Sequence, residues 1–317
     1  MMIPNKFRRL LKNSRLFTQL AFSLRRFRKI SDLETLDRVF NEILNGKELD
    51  HVALAALRKI YFVPDMHGLP KDPFSEAYHD WQMQLYKSLS SRTYKTENEI
   101  VPFDFEKNGN GIYPYSSQSP AMVSEMLLTH GFLVKNLQLP PGGSLLEIGS
   151  GWGNITLHLA HMGYDLTLLE INPDFVKLLT ERLKNFSERT EIINEDMLEY
   201  TGRCEKRFDG VLFNASFHHT SDPLQLIRNL ARILKPGGTV YFSGEPVANV
   251  PHILQPYPWG LRMDGESLFM IRRHGWLELG FQLSFLQKAF AQNGLEFMAC
   301  PSDIPSAPDL HVARHRK

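Results

Sequence analysis

Residues 145–154, the most informative part of the sequence, read Leu-Leu-Glu-Ile-Gly-Ser-Gly-Trp-Gly-Asn. An apolar run leads up to Ile148, and an acidic residue, Glu147, stands two positions before the first of three alternating glycines. The pattern predicts a buried strand, then a turn with almost no Cβ atoms, and then a helix. Because such a turn carries few side chains, its backbone can approach a nucleotide-like ligand closely.

Strand and helix signals alternate from residue 144 onward, which favours a parallel sheet with helices on both faces. The predicted strands are 145–148, 165–170, 191–194, 210–215, 239–243, 295–299 and 310–314. The predicted helices are 154–161, 173–186, 223–234 and 283–292, preceded by one that begins at Ser119-Pro120 and runs toward Gly131. Between them, the segment 235–238 (Lys-Pro-Gly-Gly) is predicted to form a turn.

The acidic residue before the first glycine and the odd spacing of the glycines resemble motif I of class I S-adenosylmethionine-dependent methyltransferases. The resemblance implies an α/β fold with a doubly wound, seven-stranded, mostly parallel Rossmann-like sheet, whose last strand is antiparallel. It also implies an enzyme whose cofactor is S-adenosyl-L-methionine. A nicotinamide-dependent enzyme is the nearest alternative for this fold. Its fingerprint places a further glycine at position 154, where this chain has Asn154, so that alternative is disfavoured.

Two carboxylates follow the next two predicted strands, at the edge where such sheets bind ligands. Glu170 ends the second strand, and an acidic side chain there can accept hydrogen bonds from both hydroxyls of a ribose. Asp196 follows the third strand and can accept from an adenine amine, while the backbone of Met197 donates. The resemblance implies the same roles and packs Ile171 against the adenine. Taken singly, a carboxylate such as Glu170 or Asp196 is more often a helix cap or a surface side chain.

The other predicted cofactor residues belong to the glycine turn and to the fourth strand. The resemblance implies that Gly149, Gly151 and Gly153 pass beside the cofactor and that Glu147 lies near its ammonium group. Asn214 ends the fourth strand and could hydrogen-bond to the same amino-acid moiety. Relatives that act on catechols bind magnesium through carboxylates at this position. We therefore expect no metal dependence in a chain that has an amide there.

Two histidines and one carboxylate are the candidate catalytic residues. Transfer of a methyl group to a hydroxyl requires a general base, and histidine is the commonest base near neutral pH. His218 and His219 follow the fourth strand, and Glu245 follows the fifth, so all three are expected at the ligand-binding edge. Glu245 could act as the base or orient a histidine. In the structural alternative, one imidazole packs against the loop, the other caps the next helix, and Glu245 caps a turn.

A long insertion, residues 247–282, follows the fifth strand and is predicted to form a lid over the acceptor site. Aromatic rings offer flat stacking surfaces, and arginine and carboxylate side chains offer paired hydrogen bonds, a combination that suits sugar hydroxyls and ring faces. The predicted acceptor-binding residues are Trp259, Arg262, Asp264, Glu266 and Arg272, together with Tyr115 from an upstream loop. The alternative is that the aromatic residues fill a small core of the insertion itself.

Residues 1–118 are predicted to form a helical N-terminal region, and residues 119–317 the methyltransferase domain. Ser31 and the pair Asp72-Pro73 are the expected starts of two of its helices, and Asp50 of a third. Residues 1–30 carry only basic charges, interleaved with Phe and Leu. Such a segment could lie on an anionic membrane surface, bind an acidic partner, act as an organelle transit peptide, or pack against the domain. Because the rest of the chain is net acidic, nucleic acid is not an expected partner.

The insertion and the Tyr113-Pro114-Tyr115 loop also resemble methyltransferase modules associated with bacterial surface-polysaccharide glycosyltransferases. That resemblance implies O-methylation of a sugar hydroxyl in a glycan or glycolipid precursor. The alternatives are a small aromatic or lipid acceptor and a binding scaffold without turnover. Two cysteines and no long apolar run predict a cytoplasmic protein, peripheral to the inner membrane if residues 1–30 bind lipid. The oligomeric state stays open.

Overall fold

The computed structural model describes residues 27–46, 49–101, 103, 111, 113–304 and 307–315. The basic segment 1–30 therefore lies outside the described residues, apart from 27–30. The chain forms two compact units. The N-terminal unit comprises residues 1–99 and 246–286, and the sheet unit comprises residues 100–245 and 287–317. This division differs from the expected one, because the first boundary falls at 99/100 and the insertion groups with the N-terminal region.

Both units contain strands and α-helices. The strands of the described residues are β1 (Arg28–Ile30), β2 (Ile60–Phe62), β3 (Ser144–Ile148), β4 (Asp165–Leu169), β5 (Thr190–Ile193), β6 (Phe208–Asn214), β7 (Leu234–Ser243), β8 (Val247–Ala248), β9 (Trp259–Leu261), β10 (Leu279–Gln282), β11 (Leu295–Cys300) and β12 (Leu310–His315). The helices are α1 (Leu33–Leu44), α2 (His51–Leu57), α3 (Glu76–Ser90), α4 (Pro120–Asn136), α5 (Asn154–His161), α6 (Pro173–Arg182), α7 (Met197–Arg203), α8 (Pro223–Ile233), α9 (Gly265–Arg273) and α10 (Leu283–Ala291).

The sheet unit is built on a seven-stranded sheet with the strand order β11-β12-β7-β6-β3-β4-β5. Strands β7, β6, β3, β4 and β5 run parallel to one another, and β12 is antiparallel to both β11 and β7. The prediction of a doubly wound, mostly parallel, seven-stranded sheet with an antiparallel last strand is therefore confirmed. The strand order reverses beside β3, so the glycine turn lies at the point where open sheets of this kind bind ligands.

The central strands are buried because helices cover both faces of a parallel sheet. Leu145 and Leu146 of β3 are fully buried. One end of the core is aromatic, with the rings of Phe213 and Phe242 stacked at a centroid distance of 5.4 Å. Phe217 meets Phe242 edge-on at 5.1 Å. The loop after β6 is thus anchored in the core by Phe217, immediately before the two predicted catalytic histidines.

Local capping signals explain where three helices of the sheet unit begin. The side chains of Ser119, Asn172 and Asp222 accept hydrogen bonds from the first turns of α4, α6 and α8, and a proline follows each of them. These starts are confirmed, whereas two ends differ from expectation. Helix α4 continues past Gly131 to Asn136, and α6 ends at Arg182, followed by a separate 3₁₀ segment, Lys184–Arg189.

The predicted turn at residues 235–238 is wrong in form, because these residues belong to β7. They interrupt its pairing with β6, where Phe208 pairs with Leu234 but Gly210 already pairs with Thr239. Gly237 adopts a φ of +80° within this irregularity. The segment is therefore a bulge in a continuing strand, and glycine supplies the left-handed conformation that the bulge requires.

The N-terminal unit contains strands as well as the predicted helices. β1 pairs with β2 in parallel, and β10 lies between β8 and β9 in a three-stranded sheet. Asp50 caps α2 as expected, but α1 is capped by Asp32 rather than Ser31, and α3 by Ser75 rather than Asp72. In both corrected cases, the capping side chain accepts from a backbone N–H three residues later, a position that the predicted residue does not reach.

The core of the N-terminal unit forms between α3 and the insertion. Trp259 is fully buried, and its ring lies 5.3 Å from that of Tyr78, centroid to centroid. The Gln82 side chain donates to the carbonyl of Trp259 and accepts from the N–H of Leu261, which pins β9 to the helix. No helix among the described residues is long and apolar enough to cross a membrane.

Candidate functional site

The glycine turn after β3 adopts a backbone that side chains would disturb. Gly149, Gly151 and Gly153 have φ values of +72°, +49° and +67°. A Cβ on Gly149 would lie 2.5 Å from the Cβ of Ser216, so the loop after β6 packs directly on this turn. The Ser216 hydroxyl donates to the carbonyl of Ile148 over 2.5 Å, which joins the two loops. The ends of β3 and β6 therefore form one local structure.

Two features of the turn favour ligand binding there. A Cβ built on Gly151 would meet no atom within 4 Å, so open space adjoins the backbone there. The hydroxyl of Ser150 is buried and has no hydrogen-bond partner in the described part of the chain. An unpaired buried hydroxyl is costly, and a ligand that hydrogen-bonds to it removes the cost. The turn therefore matches the cofactor that the resemblance implies.

Glu147 is buried beneath the turn and is 1% exposed. Its carboxyl group accepts from the Thr156 hydroxyl over 2.7 Å. Burial raises the pKa of Glu147 to about 8, the Thr156 hydrogen bond opposes this shift, and the charge of Glu170 adds to it. Glu147 is thus mostly protonated at neutral pH, and a cationic ligand group beside it would favour its ionised form.

Glu170 lies at the end of β4 with both carboxylate oxygens facing backbone donors. Oε2 accepts from Gly151 N over 2.8 Å, and Oε1 accepts from Asn172 N over 2.9 Å. Burial raises the pKa of Glu170, while these backbone N–H groups oppose the shift. A carboxylate has about four acceptor positions, so the two bonds leave capacity for ribose hydroxyls. Asn194 fixes the neighbouring backbone by donating to the carbonyls of Glu170 and Ile171.

Asp196 is the N-cap of α7. Its Oδ1 accepts from the backbone N–H groups of Leu198 and Glu199 over 2.7 and 3.1 Å. The helix-cap alternative is therefore realised, and the predicted contact with adenine would have to use the other oxygen, Oδ2. Met197, the first residue of α7, is half-buried, as is Asn214 at the end of β6. The predicted roles of these three residues in cofactor binding stay predictions.

Glu245 and His218 form a buried pair at the same edge of the sheet. Glu245 Oε2 lies 2.8 Å from His218 Nδ1, and the two side chains are 1% and 9% exposed. The carboxylate also accepts from the backbone N–H groups of Ser216, Phe217 and His218 at 2.8 to 3.1 Å. Burial raises the pKa of Glu245, but the charge of His218 and these hydrogen bonds outweigh it, so the pKa is lowered. Glu245 is thus ionised and holds the ring.

His219 lies beside His218, with ring centroids 4.2 Å apart. The loop that carries both histidines packs on the glycine turn through Ser216. The structure therefore brings together the candidate catalytic residues and the first two elements of the predicted cofactor site. All of them belong to the sheet unit, and each follows the C-terminal end of a parallel strand.

Sequence reasoning missed an aromatic cluster against the glycine turn. Trp152 lies 5.0 Å from Phe103, 5.6 Å from Phe175 and 6.3 Å from Tyr113, between ring centroids. The carbonyl of Tyr113 accepts from Asn154, so the upstream loop is hydrogen-bonded to the first residue of α5. The presence of Trp152 within the glycine motif could have indicated this cluster, because a large aromatic ring there needs other side chains to pack on it. Its partners come from distant positions in the chain.

Most of the predicted acceptor-binding side chains have partners within the N-terminal unit. The indole N–H of Trp259 donates to the carbonyl of Pro73, Glu266 pairs with Arg58 at 2.6 Å, and Arg272 pairs with Asp37. These contacts favour the alternative in which the insertion fills its own core. Arg262 contacts Asp264 at 3.2 Å, and Tyr115, in the sheet unit, is 47% exposed. The acceptor-binding roles stay predictions.

Comparison with known proteins adds the following similarities. Residues 146–242 match the family model described as a methyltransferase domain. A ubiquinone biosynthesis O-methyltransferase of Xanthomonas campestris pv. campestris (strain B100) is 29% identical over 103 residues, covering 32% of this chain and 43% of that relative. A protein of the same name from Aliivibrio fischeri (strain MJ11) is 26% identical over 162 residues, covering 51% of this chain and 61% of the relative.

Among solved structures, an O-methyltransferase from neocarzinostatin biosynthesis, in complex with S-adenosylmethionine and 2-hydroxy-5-methyl naphthoic acid, aligns with a TM-score of 0.46. It is 18% identical and covers 67% of this chain and 61% of that chain. The chain thus spans less than two thirds of the length of each of these proteins. The family match supports the predicted methyltransferase and its cofactor, S-adenosylmethionine. It does not support the predicted link to surface-polysaccharide modules. Over residues 146–242, the chain is similar to methyltransferases.

Proposed function

We propose that the protein is an S-adenosylmethionine-dependent methyltransferase that transfers a methyl group to an oxygen atom. The match over residues 146–242 and the glycine turn at the switch point of the sheet support the cofactor. The hydrogen bond between Glu245 and His218 supports oxygen as the acceptor, because a hydroxyl needs a base that nitrogen acceptors often do without. This pair is the observation that carries the proposal.

The turn and the two following strand ends would hold the cofactor. S-adenosylmethionine, when bound, supplies a methyl group activated by its sulfonium. Ser150 offers a buried hydroxyl, Gly151 offers adjoining open space, and Glu170 offers its remaining acceptor positions to the ribose. Glu147 would bind the ammonium group once it has released its proton.

His218 would act as the general base. The ionised Glu245 carboxylate can only accept a hydrogen bond from His218 Nδ1. The neutral imidazole of His218 therefore carries its proton on Nδ1. Nε2 then holds the lone pair and can take a proton from an acceptor hydroxyl. The three backbone N–H groups fix Glu245, and Phe217 anchors the loop in the aromatic core, so the imidazole is held in one orientation. Glu245 is therefore a positioning residue in this proposal.

The choice of acceptor class uses the similarities of the chain to other proteins. The resemblance to surface-polysaccharide modules implies a sugar hydroxyl of a glycan or glycolipid precursor. The relatives, in contrast, are named for ubiquinone biosynthesis. Their name favours a small-molecule acceptor and agrees with oxygen as the methylated atom. A scaffold that binds the cofactor without turnover is the remaining alternative. We place an O-methyltransferase with a small hydroxyl-bearing acceptor first.

The test uses the purified full-length chain with methyl-labelled cofactor and separate glycan and small-molecule fractions from cells. We expect label transfer and formation of S-adenosylhomocysteine, both lost in His218→Ala but retained in His158→Ala, a matched change of an exposed histidine in the same unit. Cofactor affinity should be unchanged in both variants. Turnover that survives His218→Ala would assign the base elsewhere, and binding without turnover on any fraction would support the scaffold.

A further inference from the structure

A polar cluster in the insertion has unused hydrogen-bond donors. It consists of Gln255, Arg262, Asp264 and Glu278, all in the N-terminal unit. The backbone N–H of Arg262 donates to the backbone carbonyl of Glu278 over 2.8 Å, next to the paired residues of β9 and β10. A Cβ built on Gly280 would lie 1.7 Å from Gln255 Oε1 and 2.9 Å from Arg262 Cγ. The glutamine and arginine side chains therefore meet over this glycine, which has to lack a side chain.

The guanidinium of Arg262 makes few of the hydrogen bonds that it could make. Its Nε donates to Asp264 Oδ2 over 3.2 Å. Its Nη1 lies 3.8 Å from Glu278 Oε2, an ion pair that is too long for a hydrogen bond. Neither Nη group donates a hydrogen bond to any of the described residues. A guanidinium carries five N–H donors, and this side chain is 23% exposed, so the described residues do not enclose it fully.

Gln255 presents a second unused donor. The residue is 3% exposed, and its Nε2 has no hydrogen-bond partner in the described part of the chain. Gln82 provides a comparison on the other side of β9, because its buried amide bonds to the backbone of Trp259 and Leu261. A buried amide is costly when its donors are unpaired. The unpaired amide of Gln255, which lies over the same glycine as the Arg262 side chain, therefore indicates a ligand.

The charges of the cluster restrict the kind of ligand. One guanidinium stands beside two carboxylates, those of Asp264 and Glu278. Burial opposes the charge of Arg262, but the two carboxylates outweigh it and raise its pKa, so the arginine stays protonated. An anionic ligand would meet carboxylates that repel it. The donors thus suit oxygen atoms that carry no net charge.

We propose that Gln255 and Arg262 bind adjacent hydroxyl oxygens of an uncharged, polyhydroxylated molecule such as a sugar. In this arrangement, the amide Nε2 and the Nη groups donate, and a carboxylate of the cluster accepts from the hydroxyls. This inference goes beyond the proposed function, because it concerns a ligand of the N-terminal unit. Binding itself is a property of the N-terminal unit and is measured without cofactor.

The test uses the full-length chain and methyl α-D-mannopyranoside, an uncharged sugar with adjacent hydroxyls, as the probe. Calorimetry or ligand-detected NMR gives its affinity, and inorganic phosphate serves as the anionic comparison. We expect Gln255→Leu and Arg262→Lys to weaken sugar binding about tenfold or more, the effect of losing one good hydrogen bond. Arg92→Lys, the same substitution at an arginine of this unit that donates to the carbonyls of His274 and Arg273, should leave sugar binding unchanged.

Thermal melting separates a binding role from a structural one. Gln255→Leu removes an amide without hydrogen-bond partners, so the melting temperature should stay the same or rise. Gln82→Leu removes two hydrogen bonds and should lower it. A wild-type chain that does not bind the sugar, or one that binds phosphate instead, overturns the proposal. So does a Gln255→Leu variant that melts earlier and binds the sugar normally. Binding of S-adenosylhomocysteine, measured separately, decides whether the methyltransferase proposal itself holds.

Discussion

Replacement of Glu147 by glutamine tests whether the carboxyl group beneath the glycine turn is protonated in the folded protein. The pKa of Glu147 is raised from 4.5 to about 8, first of all by burial. An acid with a raised pKa binds its proton more tightly in the folded state. Its stabilising contribution is therefore fully present below the unfolded value of 4.5 and is lost as the pH rises through about 8.

The expected size follows from these two pKa values. A difference of one in pKa corresponds to about 1.4 kcal/mol. The free energy of unfolding should therefore fall by about 3 kcal/mol between pH 6 and pH 9. Glu147→Gln keeps a neutral group that accepts from Thr156 and should remove this part of the pH dependence. Glu296→Gln, at an exposed position on β11, is the matched control and should retain the wild-type profile.

The assay is urea unfolding at several pH values, followed by hydrogen exchange of the peptide that contains β3. Exchange of this buried strand reports on unfolding of the sheet unit. Wild-type and Glu147→Gln profiles that run parallel between pH 6 and pH 9 would refute the reasoning. In that case, Glu147 would already be ionised beneath the turn.

Further predictions concern the cofactor, the base and the N-terminus. Gly151→Val should abolish binding of S-adenosylhomocysteine, measured by calorimetry, because the side chain fills the open space and strains a φ of +49°. Gly142→Val shares the strain, with a φ of +66° and no atom within 4 Å, and should bind normally; equal loss in both would remove the assignment to the turn. Glu170→Ala should weaken binding by about 1.5–3 kcal/mol, the range for hydrogen bonds to a charged group. An effect within experimental error would exclude a ribose contact. Glu245→Gln should lower kcat by about 10²-fold or more with little change in cofactor affinity, and a rate close to wild type would show that His218 needs no carboxylate. Deletion of residues 2–29 should release the chain from anionic vesicles in a sedimentation assay, and unchanged binding would return this segment to a packing role.

Local signals in the sequence were sufficient for the sheet and for the glycine turn. A proline after a capping residue fixes a helix start because both act within one turn, as at Ser119, Asn172 and Asp222. The caps of the N-terminal unit were harder, since Asp32 and Ser75 stand close to equally plausible neighbours. There, the backbone geometry of the preceding residues decides which side chain reaches the free N–H groups.

Charged and polar side chains far apart in the chain were paired only by the tertiary structure. His218 meets Glu245 across two strand ends, and Arg272 of the insertion meets Asp37 of the first helix. The sequence marked Arg262, Glu266 and Arg272 as equally good ligand contacts. Packing then gave Glu266 and Arg272 partners within the unit and left the outer donors of Arg262 unused.

Three features could thus be predicted from the sequence alone. They are the alternating strands and helices, the side-chain-poor turn, and the types of side chain at one edge of the sheet. These depend on periodicity and on hydrogen bonds between near neighbours. Tertiary packing, in contrast, pairs Glu245 with His218, covers Trp152 with an aromatic cluster and brings the side chain of Gln255 next to that of Arg262. A side chain becomes available to a ligand when packing provides it with no other partner, and that depends on residues brought together from distant parts of the chain.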